Sequence, residues 1–164
     1  MTVDINNESG LDADGPGLVR LATFALDQLR IHPLAELSIL LVDEATMSAY
    51  HQKYLGEPGP TDVLSFPMDE LRPPDDDEEP PAGLLGDIVL CPAVTARQAR
   101  EHGRSADAEA EYLLVHGLLH LLGYNHAEPA ERAEMFQLKD KIIANWARAR
   151  PDRPAGSTQR LSAR

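Results

Sequence analysis

The stretch His116-Gly-Leu-Leu-His120-Leu-Leu-Gly123-Tyr-Asn-His126 holds three of the chain's six histidines. His116 and His120 are four residues apart, so on a helix they lie one turn apart on the same face. Gly123 can end that helix in a left-handed backbone conformation, which is more costly for a residue with a Cβ. The chain can then turn back and bring His126 close to the other two. The spacing therefore predicts a zinc site with three imidazole ligands and an open position for water.

The spacing H-x-x-x-H-x-x-G-x-x-H is also that of the zinc ligands in metzincin peptidases. Peptidases of this kind carry Glu directly after the first histidine, where it acts as general base on the metal-bound water. Here that position is Gly117, which cannot accept a proton. We expect a metal site that lacks the base of a peptidase. A purely structural zinc site, which usually has four Cys or His ligands, is the alternative, and Cys91 is the only cysteine that could join it.

Length and composition indicate the class of protein. A chain of 164 residues suits a single domain with its own core. One cysteine excludes an internal disulfide and suits a reducing cytoplasm. The first residues lack the basic and apolar regions of a secretory signal, and no apolar run approaches the roughly 18 residues of a membrane span. We expect a cytoplasmic protein that does not associate with membranes.

The formal net charge of −12 is opposite in sign to the basic surface typical of nucleic-acid binders. Part of this charge is local, because residues 69–80 hold seven acidic residues, one arginine and three prolines. We predict a solvated, poorly ordered acidic loop over 69–82 and a disordered basic tail over 149–164. The remainder of the chain is still acidic, so charge alone argues mildly against a nucleic-acid ligand.

Hydrophobic periodicity predicts the secondary structure. Apolar residues alternate or cluster at strand length in four segments, 2–8, 36–42, 63–68 and 84–90. Helical spacing recurs in five segments, about 18–30, 44–54, 92–102, 106–122 and 128–148, and Gly15-Pro16-Gly17 is expected to break the chain before the first. The pattern predicts a single α+β domain with a mixed sheet of about four strands packed with about five helices.

Three segments together resemble the YbeY endoribonucleases, bacterial enzymes of ribosomal RNA maturation. They are Gly59-Pro-Thr-Asp-Val-Leu-Ser-Phe-Pro67, Gly86-Asp-Ile-Val-Leu90 and the histidine motif ending at His126. Their order matches that family over residues 1–148. The resemblance implies one domain over 1–148 with a zincin-like, metal-dependent hydrolase architecture. It also implies one zinc ion per chain, bound by His116, His120 and His126.

The activity implied by the resemblance is a single-strand-specific cut in RNA. Its implied setting is maturation of the 3′ end of 16S rRNA and quality control of ribosomes. The implied partners are the 16S rRNA precursor, the small ribosomal subunit, ribosomal protein S11 and the GTPase Era, with neither DNA nor a membrane expected.

The sequence departs from the family pattern at two positions. Asn125 stands where family members commonly have Asp, which removes a negative charge near the metal. Leu55 stands where many members carry a functionally important Arg, so no phosphate contact can be assigned to it. Other basic residues could supply charge instead, although each also fits a solvated helix face. These residues are Lys53, Arg97, Arg100 and Arg104.

Zinc on three histidines lowers the pKa of bound water to near 7 and polarises a phosphoryl oxygen. The candidate catalytic residues are His116, Asp62 and Asp87, the two carboxylates lying at strand ends in family-like segments. For each Asp, a hydrogen bond to a ligand histidine or a turn cap is an equally good interpretation. Thr61 and Ser65 are candidate contacts to phosphate or backbone.

Two other functions fit parts of the pattern. A zinc peptidase or amidohydrolase shares the histidine spacing, but Gly117 argues against it. A ribosome-assembly factor with a structural zinc site and no catalytic activity is favoured by the acidic charge and by Leu55.

Overall fold

A four-stranded mixed sheet forms the base of the fold. The computed structural model describes residues 2–69, 71, 73–79, 82–124 and 127–150. The strands are β1 (Thr2–Asn7), β2 (Glu36–Leu41), β3 (Val63–Pro67) and β4 (Leu84–Leu90). Their order in the sheet is β1-β2-β4-β3, in which β1, β2 and β4 run parallel and β3 pairs antiparallel with β4. The central position of β4 explains its nearly continuous apolar sequence, because five of its seven residues are buried.

Five helices connect and cover the strands. They are α1 (Gly15–Gln28), α2 (Glu44–Leu55), α3 (Pro92–His102), α4 (Ala106–Leu121) and α5 (Pro129–Ala149). Polar side chains cap three of them, because Asp14, Asp43 and Ser105 accept hydrogen bonds from backbone N–H groups in the first turns of α1, α2 and α4. The predicted α+β domain with four strands and five helices is therefore confirmed.

The helices pack on both faces of the sheet. The larger core lies between the sheet and α1, α4 and α5, and α4 is at its centre, in contact with β3, β4 and the helices α1, α3 and α5. A smaller cluster lies on the opposite face, where Met47 of α2 packs with Leu64, Val89 and Cys91. Burial raises the pKa of the Cys91 thiol, so this cysteine is a packed core residue.

The predicted break at residues 15–17 is wrong. Gly15, Pro16 and Gly17 form the first turn of α1. Proline is tolerated there because the first N–H groups of a helix have no partner within the helix. The carboxylate of Asp14 accepts a hydrogen bond from the Gly17 amide at 3.0 Å, and this cap fixes the start of α1 three residues earlier than its apolar spacing indicates.

Among the described residues of the acidic loop, Leu71 is buried in the core. The side chain of Leu71 is 5% exposed and belongs to the larger core, whereas Asp75 to Glu79 are exposed. Glu70, Arg72, Pro80 and Pro81 lie outside the described residues, as does 151–164 of the predicted tail, so the disorder expected for both segments stays a prediction. No helix in the described ranges is long and apolar enough to cross a membrane.

A β-bulge in β4 determines to which face of the sheet each later side chain of the strand points. Glu36 pairs with Leu84 and Leu37 pairs with Gly86, so Leu85 is an extra residue between the two pairs. The backbone of Gly86 has φ +134°, and a Cβ at this position would lie 2.1 Å from the carbonyl oxygen of Phe66 in β3. Only glycine lets β3 approach β4 this closely.

We expect Gly86→Ala to destabilise the protein by at least about 3 kcal/mol, because both the backbone conformation and the contact with β3 become strained. Denaturant unfolding followed by circular dichroism measures this loss. Gly56→Ala is the matched control, since Gly56 also has a positive φ but nothing lies within 4 Å of the added Cβ. It should cost about 1–2 kcal/mol, and equal losses in the two variants would contradict the proposed clash.

Candidate active site

His116 and His120 converge at the C-terminal end of α4. Their Nε2 atoms are 3.1 Å apart and their rings meet edge-on, with centroids 4.7 Å apart. Two nitrogen ligands of one tetrahedral zinc ion, each at 2.0–2.1 Å from it, are separated by about 3.3 Å. The spacing of the two imidazoles therefore fits a shared metal ion.

Gly123 follows the end of α4 with a positive φ, as predicted. It has φ +94°, its N–H donates to the carbonyl of His120 at 3.1 Å, and the Tyr124 N–H donates to the carbonyl of Leu119 at 3.0 Å. These bonds satisfy carbonyl groups at the helix end that lack partners within the helix.

The third predicted ligand, His126, lies outside the described residues together with Asn125. Within the described ranges, no group of three or more His, Cys, Asp or Glu side chains is arranged to hold a metal ion. A three-ligand site on His116 and His120 therefore needs a residue from outside those ranges, and the assignment of His126 stays a prediction.

Gly117 faces the sheet. A Cβ at this position would lie 3.1 Å from Ser65 Oγ and Val63 Cγ2 and 3.2 Å from Ile88 Cγ2. Ser65 also donates a hydrogen bond to the Gly117 carbonyl at 2.8 Å, which makes it the backbone contact that the sequence suggested. Glycine is thus needed for close packing of α4 on β3 and β4, and the position has no room for a larger side chain.

A cleft of about 790 Å³ opens beside the two histidines. One wall comes from the end of α2 and from β3, and the other from α3, α4 and α5. Leu55, at the position of the family arginine, lies on the first wall and is 58% exposed. The side chain at this position is therefore apolar and cannot form an ionic contact with a phosphate.

Asp62 lies in this cleft at the start of β3. Its Oδ1 accepts hydrogen bonds from the Val63 amide at 2.7 Å and from the Thr61 hydroxyl at 3.3 Å. The structure therefore gives Asp62 a local capping role and places it in the same cleft as His116 and His120. Its role as a catalytic carboxylate stays a prediction.

Asp87 lies elsewhere. Its neighbour Ile88 faces α4 at Gly117, and because successive side chains of a strand point to opposite faces, Asp87 points to the other side of the sheet. There it is exposed and pairs in register with Phe66, which packs against the smaller cluster. The structure brings together His116, His120 and Asp62 but places Asp87 on the other sheet face, and no observation tests its catalytic role.

Lys139 is a site residue that sequence analysis missed. Its side chain is 1% exposed, and its Nζ lies 3.3 Å from His116 Nδ1. The same Nζ lies 4.0 Å from the ring centroid of Tyr112 and 4.3 Å from that of Phe136. The sequence does carry a signal, because this lysine sits between Met135 and Ile142 on the buried face of α5.

Glu109 on the second wall has two close partners. Its carboxylate is almost fully buried and contacts His102 Nδ1 at 3.1 Å and Arg104 at 3.3 Å. Arg97, which does not line the cleft, pairs with Glu44 on α2 at 2.7 Å. By contrast, no carboxylate of the described residues forms an ion pair with Lys139. The ammonium of Lys139 is therefore the buried cation that an anionic ligand in the cleft could neutralise.

Comparison with known proteins identifies the family. The family model of endoribonuclease YbeY matches residues 13–147. The chain belongs to the YbeY family of endoribonucleases. This confirms the family inferred from the three sequence segments, and the histidine pair and the cleft both lie within the matched region.

Relatives within the YbeY family are similar over nearly their whole length. The endoribonuclease YbeY of Cutibacterium acnes is 72% identical over 144 residues, which cover 88% of this chain and 93% of the relative. That of Thermobifida fusca is 57% identical over 151 residues, or 91% of this chain and 96% of the relative. The solution structure of TM1509 from Thermotoga maritima matches with a TM-score of 0.59 and 25% identity, over 94% of this chain and all of that one.

The packing of Gly117 generates a prediction about peptidase activity. Gly117→Glu restores the residue type of a peptidase base, but we expect an insoluble or unfolded protein because the added side chain must displace Ser65, Val63 or Ile88. Gly117→Ala, the smaller control, should fold with a loss of about 1–2 kcal/mol. Circular dichroism and a peptide-library assay measure the outcome, and a folded Gly117→Glu variant that cleaves peptides would contradict the prediction.

Proposed function

We propose that this protein is a zinc-dependent endoribonuclease that cuts single-stranded RNA in the cleft beside α4. The observation that carries the proposal is the convergence of two imidazole nitrogens, 3.1 Å apart, on an open cleft in a member of the YbeY family. His116, His120 and His126 would hold the metal. When bound, zinc supplies a water of near-neutral pKa and a Lewis acid for a phosphoryl oxygen.

Asp62 is the side chain that we assign to proton transfer. The amide of Val63 fixes its Oδ1, and Oδ2 is the atom that we propose as acceptor from the attacking hydroxyl group, whether of water or of the RNA itself. Two other carboxylates line the cleft, Glu101 of α3 and Glu109 of α4. Glu109 is already in contact with His102 and Arg104. This difference in partners favours Asp62 over Glu109.

Lys139 is the side chain that we assign to the phosphate. Its buried ammonium lies against His116 and has no carboxylate partner among the described residues. A phosphodiester in the cleft would supply the missing negative charge. Many family members carry an arginine at the position of Leu55. Lys139 would then supply the corresponding positive charge from the opposite wall of the cleft.

The cellular setting that we propose follows the family. The substrate would be the 16S rRNA precursor near its 3′ end, on the small ribosomal subunit, with ribosomal protein S11 and the GTPase Era as contacts. Quality control of ribosomes would use the same cut. The formal net charge of −12 means that such partners have to supply part of the attraction to RNA.

The metal and the activity are tested together with histidine variants. We expect stoichiometric zinc in the wild-type protein by elemental analysis, and loss of both zinc and RNA cleavage in His116→Ala and His120→Ala with retained circular dichroism. His32→Ala, in the turn between α1 and β2, is the control and should keep both. A wild-type protein without zinc would refute the metal site.

The same variants separate the alternatives. Cleavage of a defined rRNA precursor that persists unchanged in both variants would assign the activity to a partner and favour a non-catalytic assembly factor. Activity on peptides but not on RNA would favour a zinc peptidase.

The assignment of Lys139 has a distinctive signature. Lys139→Met keeps the shape and removes a buried charge, so we expect the protein to gain about 1 kcal/mol of stability. The KM for single-stranded RNA should rise roughly tenfold, corresponding to the loss of one charge-assisted contact. Lys141→Met, the same change at an exposed position of α5, should alter neither quantity. An unchanged KM in Lys139→Met would contradict the phosphate contact.

A further inference from the structure

Three aromatic rings pack together at the first wall of the cleft, which two of them, Tyr54 and Phe66, line. Tyr54, on the last turn of α2, meets Phe66 of β3 edge-on, with ring centroids 4.9 Å apart and an interplanar angle of 66°. Tyr50, one turn earlier on α2, lies 6.2 Å from Tyr54 and 6.4 Å from Phe66. We call these three residues the aromatic cluster. All three pairs are tilted or edge-on, and the exposure of Tyr54 leaves part of its ring open to solvent.

The cluster joins the core at one end and solvent at the other. Tyr50 and Phe66 are partly buried and pack against the smaller core cluster. Tyr54 is 52% exposed and lines the same cleft as His116 and His120. Next to it is Leu55, also exposed and also in the cleft. Two large apolar side chains exposed side by side at the edge of a cleft mark a binding surface.

A cation accompanies the exposed ring. The Nζ of Lys53 lies over the Tyr54 ring, 5.2 Å from its centroid. A nucleotide matches this pair, because its base can take the place of the ammonium over the ring while its phosphate binds the ammonium. An apolar peptide side chain would use the ring and Leu55 but would leave the ammonium without a partner.

We propose that Tyr54, backed by Phe66 and extended by Leu55, is a stacking platform for one unpaired base of the RNA, with Lys53 at the adjoining phosphate. This inference rests on the proposed function and specifies how the cleft holds its substrate. Stacking is tolerant of base identity, because every base has a π-face. It also requires an unpaired base, which accounts for a preference for single strands.

The platform contributes to RNA binding in a way that does not depend on the net charge of the protein. A protein of formal net charge −12 gains little from long-range attraction to a polyanion, and Leu55 supplies no arginine. Stacking does not depend on net charge. The ring of Tyr54 is held in place by Phe66 and Tyr50, so little side-chain entropy is lost when a base binds.

The test combines a change in the protein with a change in the RNA. The probes are a single-stranded RNA oligonucleotide and the same oligonucleotide with one abasic site, scanned along the strand. For zinc-loaded wild-type protein, we expect the abasic site to raise KM about tenfold at one position near the cut. In Tyr54→Ala, KM for the intact strand should rise by a similar factor, kcat should change less than threefold, and the abasic site should have no further effect.

Variants at Tyr54 separate stacking from general apolar contact. Tyr54→Trp and Tyr54→Phe keep a ring and should restore KM, whereas Tyr54→Leu should behave as Tyr54→Ala. Leu34→Ala, which removes an exposed apolar side chain from the turn before β2, is the control and should match the wild-type protein. A 2-aminopurine at the sensitive position should lose fluorescence on binding to wild-type protein and retain it with Tyr54→Ala.

The outcomes distinguish this inference from the function on which it rests. If Tyr54→Ala cleaves RNA with wild-type KM, or if an abasic site raises KM by the same factor in both proteins, the platform is overturned while the endoribonuclease activity stands. If the wild-type protein neither binds nor cleaves single-stranded RNA, the proposed function is overturned and the platform with it.

Discussion

Close packing of α4 on the sheet at Gly117 is the constraint on which the site depends. The absence of a side chain lets the helix approach Val63, Ser65 and Ile88, and the hydrogen bond from Ser65 to the Gly117 carbonyl fixes its position. The elements of the cleft lie around this contact. His116 directly precedes Gly117, and both Asp62, at the start of β3, and Phe66, within it, line the same opening. Widening this contact would separate the histidines from the opposite wall.

Local sequence spacing was sufficient for part of the site. The positions of His116, His120 and Gly123 are set by local spacing along the chain, and the structure has the histidine pair and the helix end where the spacing predicts them. The strands and helices followed from periodicity for the same reason. The start of α1 did not, because the cap at Asp14 is a single hydrogen bond that apolar spacing does not reveal. The third ligand and the tail lie outside the described residues.

The rest of the site is set by tertiary contacts. Lys139 is distant in sequence from His116, and only the packing of α5 on α4 brings its Nζ to the imidazole. Tyr54 and Phe66 belong to segments separated by the loop after α2, and their contact depends on β3 lying beside that helix. The sequence shows that Gly117 cannot act as a base, but its packing role depends on contacts with β3 and β4 that the sequence does not reveal. Arg104, for which the sequence also allows a solvated helix face, contacts the buried Glu109 together with His102.

The bulge at Leu85 has a consequence for the chemistry available to the cleft. A strand assigns its side chains to faces by odd and even position, and one extra residue exchanges the two sets for the remainder of the strand. In β4 this exchange sends Ile88 towards α4 and Asp87 away from it. Of the two aspartates in the family-like segments, only Asp62 therefore shares a compartment with the histidines. The extra residue at Leu85, two positions before Asp87, therefore determines that this aspartate points away from the histidines.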